Sequence, residues 1–133
     1  MPTTIAVAHI AVLLALTAQS GASGEQDCNK ALTTMDINEC ASIEQAKVEK
    51  KLNSTYQRAL KSLSGPGTDR AHSAKMKTSL VAAQRAWIKF READCNAQYV
   101  KHAGGTIRTV VYIGCMQQHA AQRIKDLEDY VDE

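Results

Sequence analysis

A dominant charge of one sign is the first thing this chain lacks. Its 133 residues hold 16 Lys plus Arg against 14 Asp plus Glu, a formal net charge of +2. So even a balance gives no field for nucleic acid to follow. Lys47, Lys50, Lys51, Lys75 and Lys77 fall among polar helical positions, the pattern of a solvated face. Residues 1–24 have no acidic side chain and no Lys or Arg, so the amino terminus is their only full positive charge. Residues 5–16 are apolar apart from His9, a run too short to span a bilayer, and small residues follow it. That pattern is a secretory signal with cleavage between residues 20 and 24. No cysteine ends the apolar run, because Cys28 follows Glu25, Gln26 and Asp27, so no stable membrane anchor is expected after cleavage. Residues 25–133 are then one domain of roughly 110 residues, enough for one core and too few for two.

Cysteine is scarce as well, and four of them in a small exported chain read as two disulfides with three connectivities. Cys95 and Cys115 stand ten residues on either side of Gly105, and Gly104-Gly105 reads as the turn between two helical segments. In an antiparallel hairpin those positions share one height, since each residue rises about 1.5 Å. They are bridged if both face the seam, and Cys28 is left for Cys40. By loop entropy each bridge contributes roughly 3 kcal/mol.

The apolar pattern has helical spacing throughout. Helix one is expected from Thr34 or Asp36, where Thr and Asp cap free N–H groups, to about Leu63, with Val48, Leu52, Tyr56, Ala59, Leu60 and Leu63 as its stripe. The sequence SGPGT at residues 64–68 breaks the pattern. Helix two is expected from about Asp69 to Lys101, with Met76, Leu80, Ala83, Trp87 and Phe90 on one face and Ile88, Cys95 and Tyr99 beside it. Two adjacent apolar faces predict that helix two is the middle one. Helix three is expected after Gly105, capped by Thr106, with Val110, Ile113, Ala120, Ile124, Leu127 and Val131 in three-four spacing interrupted by Gln117. Thr109, Val110 and Val111 also suit a short extended piece, so the start of this helix stays open. There is no internal repeat. The fold class is all-α, an antiparallel three-helix bundle stapled by two disulfides.

The scarcest residues mark the most informative segment. The one Trp and the one Phe stand three residues apart in QRAWIKFREADC, residues 84–95, which ends on a cysteine. Upstream lie Leu52, Asn53 and Tyr56, and downstream Gly104, Gly105 and Thr106, then Cys115, Arg123 and Leu127. Taken together, these pieces resemble the LprI-like lysozyme inhibitor family of small secreted bacterial helical proteins, over residues 28–127. The resemblance implies a non-catalytic periplasmic or secreted protein that binds a muramidase such as lysozyme and blocks its cleft. A general envelope interaction or stress protein with no lysozyme target is the other reading, since fold does not fix function.

Candidate chemistry is sparse. Cys115 and His119 share a helix face at i and i+4, with Cys95 across the hairpin and His102 near the turn, a set zinc would accept. In an oxidising compartment the two cysteines pair instead, which leaves neither a metal site nor a Cys-His nucleophile. Glu92 and Asp94 near Arg91, with Arg123 in reach, read as an ion-pair network at the seam of helices two and three rather than a catalytic dyad. No catalytic residue, cofactor or metal is expected. Trp87 reads as a core anchor, Tyr56 as a packed residue and Asn53 as a local hydrogen-bonding residue. If a muramidase is the partner, residues 64–72 are the protruding element, with Arg70 and His72 as contacts for a cleft lined by carboxylates. The acidic end, Asp126, Glu128, Asp129, Asp132 and Glu133, is the one concentrated negative feature and reads chiefly as a solvated helix end.

Overall fold

The computed structural model describes residues 26–131 except 66 and 68, so the expected export signal and the last two acidic residues lie outside the described part. A short 3-10 turn, Cys28–Lys30, leads into three helices, α1 (Thr34–Ser62), α2 (Arg70–Lys101) and α3 (Arg108–Glu128), with no strand among the described residues. They run up, down and up as an antiparallel bundle.

Local chemistry sets the ends of the helices. Thr33 caps α1, its hydroxyl accepting from the Asp36 N–H while the Asp36 carboxylate accepts from the Thr33 N–H. Those hydrogen bonds from Thr33 hold the Asp36 carboxyl below its ordinary range. α1 stops at Leu63, and Gly67 in the following loop takes φ +86°, a conformation that a side chain would strain. Asp69 then caps α2 by accepting from the His72 N–H at 2.8 Å. α3 begins later than Thr106: Ile107 precedes its first residue and offers no side-chain cap, and Thr109, Val110 and Val111 are helical.

The core is a compact apolar cluster of Leu52, Ala59, Leu80, Ala120, Ile124 and Leu127, with Val48, Tyr56, Leu60, Leu63, Trp87 and Val131 packed around it. Burying each large aliphatic side chain contributes about 1.5–3 kcal/mol. The middle helix is α3, not α2, because α3 approaches both neighbours closely while α1 and α2 meet chiefly through long side chains. Ala120, fully buried on α3, adds no bulk beyond Cβ and permits that approach.

The expected face of α2 is also rotated. Its buried residues are Ser73, Leu80, Gln84, Arg91 and Cys95, whereas Phe90 is 58 % exposed and Ile88 and Ala83 face outward. At about 100° per residue, Phe90 points some 100° away from the centre of that stripe. Three of the five buried positions are polar, so a reading by hydropathy moved the stripe toward Phe90.

Both cysteine pairs are as expected. Cys28 is bonded to Cys40 with Cα atoms 5.6 Å apart, and Cys95 to Cys115 with Cα atoms 5.5 Å apart. The first pair ties the 3-10 turn to the start of α1. The second, with Cys95 fully buried, locks α2 to α3.

Candidate functional site

Trp87 lies at the edge of the core, half-buried, with the Arg91 guanidinium 4.5 Å and the Arg123 guanidinium 5.9 Å from its ring. Both distances are cation–π contacts. Arg91 donates to Glu49 of α1 at 2.6 Å, and Arg123 donates from Nε to the buried Gln84 amide oxygen at 2.9 Å. The indole, two cations, a carboxylate and an amide thus join all three helices. The ion-pair expectation changes here: the partner of Arg91 is Glu49 across the bundle, not Glu92 or Asp94 beside it. Arg91 is 9 % exposed and Glu49 28 %, so removing either member would leave a poorly solvated charge. These five side chains hold the helices together.

One end of the bundle projects. The Ser73 hydroxyl donates to the Leu63 carbonyl, which places the end of α1 beside the start of α2. Counted from the Cys95–Cys115 bridge at about 1.5 Å per residue, Glu128 at the end of α3 lies level with residue 82 of α2, and Tyr130 just beyond it lines a groove with His72, Met76 and Leu80. About two turns of α1 and α2, joined by residues 63–69, therefore extend past α3 as a two-helix tip. Arg70 and His72 are exposed on that tip but do not converge. Arg70 faces a shallow hollow with Ser64, Ser73 and Lys77, and His72 lies on the groove that Tyr130 closes.

The other polar grouping lies on the α2–α3 seam. His119 is hydrogen-bonded through Nε2 to the Asp94 carboxylate at 2.8 Å, and Phe90 meets the His119 ring edge-on at 5.5 Å. These residues flank the Cys95–Cys115 bridge beside an open groove of about 790 Å³ lined also by Gln98, Gln118, Gln122 and Lys125. His102 is not part of the grouping, because its Nδ1 donates to the Gln98 carbonyl. Gln117, which interrupted the apolar pattern of helix three, reaches across to donate to the Ala41 carbonyl of α1 at 2.8 Å. The sequence reading missed Glu49, Gln84 and Gln117 as bundle-joining residues; for Gln84 the signal was the seven-four spacing of Ser73, Leu80, Gln84, Arg91 and Cys95 on α2, which includes polar members. Tyr56 packs against the core, while Asn53 is exposed.

Among the described residues no helix is long and apolar enough to cross a membrane. A protein of Rhizobium meliloti (strain 1021) called "Uncharacterized protein R02472" is 28 % identical over 129 residues, covering 92 % of each chain. No solved structure matches. The family described as Lysozyme inhibitor LprI matches residues 26–127, from just before the first cysteine to the last core leucine. With both disulfides, the Trp87 cluster and the whole three-helix core inside that span, the chain belongs to the LprI lysozyme inhibitor family.

Proposed function

We infer that this chain is exported and, once oxidised, binds a lysozyme-type muramidase and blocks its cleft. The observation that carries the reading is membership of an inhibitor family over the entire folded domain. Export rests on the sequence pattern of residues 1–24.

The two-helix tip is the element suited to enter a cleft, because it is narrower than the three-helix section behind it. Lysozyme-type cleavage depends on two carboxylates flanking the sugar bond, so an inserted element gains from hydrogen-bond donors and positive charge. The tip offers both. Arg70 is the first residue of α2, next to the Asp69 cap, and His72 follows half a turn later. With a net charge of +2 the chain gains no long-range attraction toward a basic lysozyme, so contact at the tip must supply the affinity.

The test is lysis of bacterial cell walls by lysozyme with and without the oxidised mature chain, residues 25–133, with direct binding measured on the same samples. Slower lysis together with saturable binding is expected. Unchanged lysis and no binding across a set of muramidases would overturn the reading and favour an envelope protein with another partner.

A further inference from the structure

The Cys95–Cys115 seam carries more than a staple. Asp94, Cys95, Cys115 and His119 each offer one ligand atom, and the four atoms lie within 4.8 Å of one another. Zinc bonds of about 2.0–2.3 Å in a tetrahedron separate ligand atoms by about 3.3–3.8 Å, so small side-chain rotations convert this grouping into a four-coordinate shell. Two helices present the four groups in complementary pairs. Asp94 and Cys95 are adjacent on α2, and Cys115 and His119 are one turn apart on α3, on the same face. Phe90 steadies the imidazole, and the groove beside Cys115 and His119 is an entry path for an ion.

We propose that this seam is a redox-gated zinc site, a disulfide when oxidised and, when reduced, a centre that holds Zn²⁺ by two thiolates, one imidazole and one carboxylate. In the oxidised chain the two sulfurs bind each other and neither is a thiolate, so only His119 and Asp94 remain, too few for a tight site. A dithiol reductant opens the gate. Its two thiols become a disulfide, their two electrons cleave the Cys95–Cys115 bond, and their two protons leave both cysteines as thiols. Zn²⁺ then displaces those protons to solvent and is held by the sulfurs of Cys95 and Cys115, the His119 imidazole and the Asp94 carboxylate. The hydrogen bond that now joins His119 to Asp94 gives way to bonds from both groups to the ion. The other pair lacks this capacity, since no grouping of three or more metal-ligating side chains is found around Cys28 and Cys40 among the described residues. The site is independent of the lysozyme reading and is tested without lysozyme.

The experiment uses the mature chain, residues 25–133, reduced by a phosphine in metal-free buffer and titrated with Zn²⁺ alone. One ion per chain is expected, with Co²⁺ in its place giving the charge-transfer absorption of two thiolates. Alkylation followed by mass mapping should find Cys95 and Cys115 protected by Zn²⁺ while Cys28 and Cys40 are modified. The oxidised chain should bind at least a hundredfold more weakly, and His119→Ala and Asp94→Asn at least tenfold more weakly than the reduced parent. If reduction without metal lowers helicity, Zn²⁺ should restore it. The thiol map is made on the unaltered sequence and so does not depend on a variant folding. Absence of stoichiometric binding, equal protection of all four cysteines, or failure of Zn²⁺ to restore lost helicity would each overturn the proposal.

Discussion

The two halves of the bundle are held by different means. In the half nearer the tip, Leu52, Ala59, Leu80, Ala120, Ile124 and Leu127 form a buried apolar cluster. Toward the other end several apolar positions lose their cover, although Met116 stays buried. Leu32 is 89 % exposed, Met35 77 % and Val100 61 %, and the connections there are the two disulfides, the Gln117 bond to Ala41 and an edge-on Tyr99–Tyr112 pair. A domain of this size has little apolar surface to bury, and covalent bonds stand in where burial runs out. The half with the apolar cluster is also the one that supports the projecting tip.

The comparison breaks first at Leu127. Leu127→Ala removes a fully buried side chain from the cluster and should lower stability by about 2–5 kcal/mol, read as the midpoint of urea unfolding with both disulfides intact. A loss under about 1 kcal/mol would mean that the bridges, not the core, hold the tip half. Trp87→Ala tests the boundary between the halves. Trp87 is only half-buried, so a loss near the lower limit for such truncations, about 3 kcal/mol, is expected, with Arg91 and Arg123 losing their shared platform.

The bridged half answers to a different change. Cys95→Ser with Cys115→Ser opens a loop of 20 residues and should cost about 3 kcal/mol. Residue-resolved amide exchange should show protection falling around residues 95–115 before it falls around residues 52–59 and 120–127. Uniform loss would show that the halves unfold as one unit. Gln117→Ala sharpens the same contrast on a smaller scale. It leaves the Ala41 carbonyl without its side-chain donor, and a cost of about 1 kcal/mol in thermal unfolding is expected. The smallest effect on stability belongs to the tip. Arg70→Ala combined with His72→Ala should shift stability by under about 0.5 kcal/mol, because both residues are exposed, yet weaken muramidase inhibition tenfold or more. Full inhibition by the double variant would remove these side chains from the contact.

What the sequence made legible follows the same division. The extents of α1 and α2, the break near residue 65 and the disulfide pairing depend on local spacing and symmetry, and all appear in the fold. The orientation of α2 was hidden because Ser73, Gln84 and Arg91 are buried by partners distant in sequence, Leu63, Arg123 and Glu49, and hydropathy assigns such residues to solvent. The start of α3 was misplaced for a related reason, since Thr106 has the right chemistry for a cap but the chain turns through one further residue, Ile107, before the helix begins. Asp94 and His119 were legible one by one. Their contact was not, because it depends on the rotation of α2 that the sequence reading missed.

Amide exchange on a complex of the oxidised chain with a muramidase tests the inhibitory tip most directly. Protection should increase at residues 63–77 and remain unchanged around residues 94–125 on the α2–α3 seam. Increased protection confined to the seam, with none at the tip, would contradict the assignment of the tip as the element that enters the cleft.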